Sequence, residues 1–328
     1  MKKRKYNVFS NTAFILRTAW HGHKGALLTC GATALLTVLG AAVQMLAAPM
    51  ILDVIASGAG LGRLLTAIGV FALLLLLAQG GGEYFSQNAL FAYLPVRLDI
   101  LGAVEKKRAT TSYSNLLSTK FLEYSELAAK ATSGNRESVE GIWSTLSALA
   151  ANVLGFGIYL ALLSNLNFWL AAAATAITLA GFLFSLRMNR WNYAHRDEEA
   201  SADQALSYAT DLLSERKYAK DLRIFGMRPW VEELWQKHYR LLYTFFRRKH
   251  QHLLWAELAD AALSLLRNGI AYGVLISMAL KGEISAAQFL LYFSAVTGFT
   301  AWVAGILQQC SVLHRQSQDI SKLREFLD

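Results

Sequence analysis

Seven histidines (His21, His23, His195, His238, His250, His252, His314) and two cysteines (Cys30, Cys310) are the residues of this 328-residue chain best suited to hold a metal or act as a nucleophile. Their spacing argues against both roles. His250 and His252 stand two apart, so a helix turns their rings away from each other. The cysteines lack neighbours at metal-ligand spacing and read as small apolar residues inside helices. No Ser–His–Asp or paired-carboxylate pattern is visible. No GxxxxGK[ST] phosphate loop occurs either, so these residues cannot cradle nucleotide phosphates in that way. What remains is the chemistry of ionisable groups among apolar residues. Glu83 closes a charge-free run that starts after Arg63, Arg267 is the one charge within 261–280, and Asp260 precedes that segment. A charge at a bilayer centre costs about 2.5–3.5 kcal/mol on insertion scales, so such groups face a bundle interior or an aqueous cavity, or pair with one another.

The elements that must position these groups are long apolar helices. Hydrophobic residues make up 54% of the chain and charged residues only 17%, against about 25% in soluble domains. Three prolines leave helices few places to break. Charge-free runs predict an all-α membrane protein with six transmembrane helices, at about 25–52, 61–82, 141–164, 168–186, 261–280 and 284–306. The third and fourth come from one run between Glu140 and Arg187, folding back at "SNLN", 164–167. Of the 32 Lys and Arg residues, 29 fall in 1–24, 83–140, 187–260 and 307–328, which predicts a multi-pass protein of the cell membrane with both termini cytoplasmic. Residues 1–24 read as a basic tail and an interfacial amphipathic (elbow) helix, with Phe9, Ile15, Leu16 and Trp20 available to lipid. "QGGGE" at 79–83 implies close helix packing or a bend.

Segments 83–140 and 187–260 read as two long cytoplasmic helical hairpins. Helices of about 30 residues would carry the tip of the second roughly 45 Å from the bilayer. At that tip lies "YAKDLRIFGMRPW", with Ile224, Phe225 and Met227 between Arg223 and Arg228. Gly226 can supply a sharp turn and Pro229 can start the returning helix. The first tip falls near Thr111 and Ser112. Beyond it Ser114, Ser118 and Ser125 are plausible helix caps, and Phe121, Leu122 and Tyr124 are apolar groups at an otherwise polar end. Exposed hydrophobic tips need something to bury them.

This pattern resembles the transmembrane domain of type IV ABC exporters (the ABC exporter type 1 fold) over essentially the whole chain. "YAKDLRIFGMRPWVEELW" is similar to that family's second intracellular loop, where a coupling helix docks into the ATPase domain. "KGEISAAQFLLYFSAV" resembles the passage from fifth to sixth span, and "ISKLREFLD" the connector, here 315–328, into that domain. "KFLEYSELAAKA" fits a subset of the family, without the Gly-Glu-Leu pattern that commonly follows. The resemblance implies the permease half of an ATP-driven exporter, coupled through Arg223–Arg228 and through Phe121, Leu122 and Tyr124. Its fourth and fifth helices would cross to a second half-transporter, identical or related, and could bring Arg267 or Asp260 near Glu83 of that chain. Trp302 and Gln308 would join these three on a cavity wall. ATP and Mg would bind an ATPase domain outside these residues, fused or separate, making the full-length protein an ATPase-coupled translocase. No cofactor, metal or nucleic acid is expected on this chain itself. An ion-gradient-driven transporter, the alternative, would be expected to show repeats and midplane carboxylates; neither is convincing here.

Overall fold

A computed structural model describes residues 6–166, 172, 175–181, 183, 191 and 195–328. Among these residues there is no strand. The helices are α1 (Val8–Gly22), α2 (Lys24–Ala56), α3 (Leu61–Gln87), α4 (Ala89–Thr110), α5 (Tyr113–Leu116), α6 (Thr119–Thr132), α7 (Ser138–Leu166), α8 (Arg196–Ser214), α9 (Arg216–Ile224), α10 (Arg228–Leu280) and α11 (Ala286–Leu327). Among the described residues five stretches are long and apolar enough to cross a bilayer: Lys24–Ala56, Leu61–Thr110, Ser138–Ser164, Arg228–Leu280 and Ala286–Leu327. By helix length and composition the chain is a membrane protein. The expected fourth span, 168–186, lies largely outside the described residues, and the fold-back placed at 164–167 is still helical through Leu166.

The chain divides into two compact units, one of Met1–Thr175 with Ile270–Asp328, the other of Ala176–Gly269. The first unit is organised by an antiparallel pairing of α7 with α11. Ser138 Oγ donates to Asp319 Oδ2 at 2.7 Å. One turn on, Gly141 lies beside Gln316; further on, Gly305 faces Asn152, Gly155 faces Trp302 and Gly298 faces Tyr159. Each advance along α7 is matched by an equal retreat along α11, so one register holds over about 30 Å. The glycines make it possible. A Cβ on Gly155 would lie 2.5 Å from the Trp302 ring, and Cβ atoms on Gly298 and Gly305 would overlap Tyr159 and Asn152.

Two apolar cores flank this seam. One gathers Leu163, Leu275, Val296 and Phe299 where α7, α10 and α11 meet. The other draws Ile15, Val96, Ile142, Trp143 and Ile320 from α1, α4, α7 and α11. There Tyr93 and Trp143 stack with ring centroids 5.5 Å apart, and Arg97 Nη1 reaches Glu140 Oε2 at 3.1 Å. Two expectations are corrected. Ile15, read as facing lipid, is fully buried in this core, whereas Phe9 and Trp20 of the same helix are exposed. Ser125, read as a cap, sits inside α6 and accepts a 2.6 Å bond from Arg108 Nε. A serine with a side-chain partner from a neighbouring helix is as compatible with a helix interior as with its start. The glycines at 80–82 do not interrupt α3; Gly81 and Gly82 lie against Leu36 of α2, so close packing accounts for these two, whereas nothing lies within 4 Å of a Cβ at Gly80.

In the second unit α10 runs alongside α8. Lys249 Nζ bonds Glu199 Oε1 at 2.8 Å, and Trp235 Nε1 donates to Thr210 Oγ1 at 3.2 Å. Val231 and Ala209 are fully buried.

The seam predicts opposite results for two kinds of glycine change. Gly305→Leu or Gly298→Val should destabilise the purified protein by about 1–3 kcal/mol through overpacking, read as a lower thermal unfolding midpoint in detergent. Gly102→Ala, where nothing lies within 4 Å of the new methyl group, should leave the midpoint unchanged or raise it slightly.

Candidate functional site

The stretch that stood out in sequence forms a compact apolar tip in the second unit. Helix α9 ends at Ile224, and the chain reverses through Phe225, Gly226 and Met227. Gly226 has φ +60°, a conformation that disfavours side chains, which explains a glycine here. The Met227 amide bonds back to the Leu222 carbonyl at 3.1 Å and closes the helix end. Helix α10 then starts at Arg228 with Pro229 in its first turn, where a missing N–H costs little. Ile224 is 63% exposed, Phe225 71% and Met227 39%. Trp230, which sequence reading passed over, adds a fourth apolar group at 51%. Its position straight after Pro229 was the available signal. Arg223 and Arg228 are both exposed beside this patch, and Arg228 Nε bonds Glu232 Oε1 at 2.8 Å.

The first expected tip is arranged differently. Helix α4 ends at Thr110, near the expected midpoint. Of the three residues predicted to dock a partner, only Leu122 points to solvent. Phe121 packs 5.3 Å from Phe326, and the Glu325 carboxylate beside Tyr124 holds its phenol above the usual range. The exposed apolar groups lie earlier instead, at Tyr113, Leu116 and Leu117 in and after α5. Spacing alone could not separate them, because both groups flank the same serine-rich stretch.

Residues 315–328 are the last turns of α11 and are fastened from two sides. Asn11 Nδ2 donates to Ser317 O at 2.8 Å, Ser317 Oγ at 2.9 Å and Ser321 Oγ at 2.7 Å. Arg324 Nη1 donates to Ser10 O, Ser10 Oγ and Asn11 Oδ1 at 2.9–3.1 Å. The same guanidinium lies 3.7 Å over the Tyr6 ring, whose hydroxyl donates to Asp328. From the α4 side, Lys107 Nζ reaches the Leu327 carbonyl at 3.0 Å. Sequence reading missed this fastening. Its trace in the sequence is Asn11, a polar residue on the same helical face as Ile15 and Ala19.

The ionisable groups singled out in the sequence do not converge within either unit. Arg267 is buried and donates to Ser264 Oγ at 2.9 Å and Thr178 Oγ1 at 3.3 Å, while Asp260 on the same helix is exposed next to Gly181. Glu83 and Gln308 are exposed on α3 and α11. Trp302 is committed to the α7 seam, edge-on to Tyr159 at 6.0 Å. Among the described residues of the first unit, one cavity of about 470 Å³ is lined by apolar side chains that include Leu52, Ile276, Leu280, Ile284 and Phe289. Another, about 210 Å³, lies between Tyr6, Val8, His314, Ser317 and Ser321. Neither is lined by Glu83, Trp302 or Gln308. Cys30 and Cys310 are free thiols, and among the described residues no three His, Cys, Asp or Glu side chains gather as metal ligands.

No protein-family model matches the chain, and no curated protein matches it.

The fastening of α11 yields a measurable cost. Asn11→Ala strands a buried set of polar partners, at about 1–3 kcal/mol for the groups left unsatisfied. We expect a lower unfolding midpoint and faster proteolysis after Lys322 and Arg324, with Thr12→Ala as a control of smaller effect.

Proposed function

We propose that the chain is the permease half of an ATP-driven exporter of the ABC type IV class. In this reading six spans and two cytoplasmic hairpins carry substrate from the cytoplasm or inner leaflet outward by alternating access. The carrying observation is the tip at Ile224–Trp230. Four large apolar side chains stand exposed on a short glycine turn between two helices, flanked by two arginines. Apolar side chains gathered at a turn between two helices, with basic residues beside them, form a surface suited to being covered. An ATPase domain with an apolar cleft and an acidic rim fits that chemistry. ATP and Mg would bind on that domain, and its closure would pull the tip and turn the helices behind it.

The division of the chain supports the same reading. Residues 176–269 form a compact unit of their own, as expected of a fourth and fifth helix that exchange with a second half-transporter. Among the described residues five stretches are long enough to span a bilayer, and the fourth expected span lies largely outside those residues, which leaves room for a sixth. Under this reading α1 is the elbow helix and the end of α11 the connector. Tyr113, Leu116 and Leu117 then take the docking role first assigned to Phe121 and Tyr124, beside Leu122.

A photo-crosslinker at Phe225 in native vesicles tests the proposal. We expect it to capture an ATPase domain, of this protein or a separate subunit, and Phe225→Ala to weaken docking about thirty-fold, the effect of losing roughly 2 kcal/mol at a hot spot. Crosslinks that never reach an ATPase would refute the reading. Arg267→Met separates two roles for the buried guanidinium. Loss of ATP-driven transport with intact assembly assigns it to the path, whereas unchanged transport removes it from the substrate cavity.

A further inference from the structure

We infer that the outward face of α1 is a binding surface for anionic phospholipid headgroups. The inference rests on the chain being a membrane protein and does not require the exporter reading.

Charge is the first ground. Residues 1–24 contain six Lys and Arg and not one Asp or Glu. Among the described residues Asp99 bonds His23 at 2.8 Å and Asp328 accepts from Tyr6. Neither neutralises Arg17 or Lys24. A stretch so one-sided attracts negative charge, at about 1 kcal/mol for each Lys or Arg close to an anionic leaflet.

Geometry is the second ground. Helix α1 presents two faces of different character. Asn11, Ile15 and Ala19 are fully buried, while Phe9, Ala13, Arg17 and Trp20 are exposed along the opposite side. Trp20 is 63% exposed, and Lys24 Nζ lies 5.6 Å over its ring. Only His23 separates α1 from α2, whose apolar stretch is the first able to enter a bilayer. This places an exposed tryptophan, an ammonium and a guanidinium at the point where the chain meets the headgroup layer. Aromatic rings favour that depth, and phosphate oxygens accept from the two cations. An acidic protein would match the charge but would have to cover Phe9 and Trp20 in competition with lipid. The lipid surface satisfies both at once.

The consequence is regulatory, because the other face of α1 is bolted to α11 by Asn11 and Arg324. Headgroup occupancy would hold α1 in place and, through these bonds, hold the end of α11.

Native mass spectrometry of the full chain from micelles doped with equal phosphatidylglycerol and phosphatidylcholine tests this. We expect preferential retention of phosphatidylglycerol, and a several-fold loss of that preference in Arg17→Gln/Lys24→Gln with an unchanged unfolding midpoint. Added inorganic phosphate should leave the retained lipid in place. Equal retention of the two lipids by the wild type, full preference in the double variant, or displacement by phosphate would each overturn the inference. If the variant fails to fold, Trp20→Ala supplies the same comparison through lost retention. None of these outcomes depends on whether an ATPase docks at Phe225, so the two readings fail separately.

Discussion

The first unit depends on how closely α7 and α11 approach. In lipid no hydrophobic effect drives helices together, so van der Waals fit must hold them. Here the fit is reciprocal. Glycines of α11 receive Tyr159 and Asn152 from α7, and Gly155 of α7 receives Trp302 from α11. The same register continues to Ser138 and Asp319, where a hydrogen bond takes over from shape. Both cores are assembled on this frame. Leu163 and Phe299 meet near one end of the pair, and Ile142 and Ile320 near the other. Helices α1, α4 and α6 are packed onto its lower part.

The polar fastening follows the same logic under different conditions. Below the apolar stretch a loose contact would be open to competition from water, so direction must come from hydrogen bonds. Asn11 is fully buried and uses both ends of its carboxamide, donating to the serines of α11 and accepting from Arg324. A buried amide satisfied this fully specifies one arrangement better than another leucine would. Arg267 shows the same economy in the second unit, with hydroxyls of Thr178 and Ser264 around its guanidinium.

Much of the architecture could be read from the chain. Five of the six spans expected from charge-poor runs fall on long apolar helices, because a charge within a bilayer is costly and that rule acts residue by residue. The turn at Gly226 was equally legible, since glycine and a following proline carry local backbone meaning that packing does not override. The failures share a cause. Ile15 and Phe121 were assigned outward because they lie in amphipathic or polar stretches, yet each is turned inward by a partner more than 200 residues away, near Ile320 and Phe326. The contact of Trp302 with Gly155 and Tyr159 is likewise invisible in the sequence. Contacts between distant segments leave no periodic trace, so a single sequence shows that a residue is apolar but not which neighbour claims it.

Ser317 and Ser321 are one helical turn apart, and the Asn11 amide reaches both. A twist of α11 by a single residue is about 100°, enough to carry both hydroxyls away from the amide. Sliding of α11 along its axis would stretch the same short bonds beyond hydrogen-bonding range. The joint therefore resists twist and slide alike, and α1 acts on α11 as a latch.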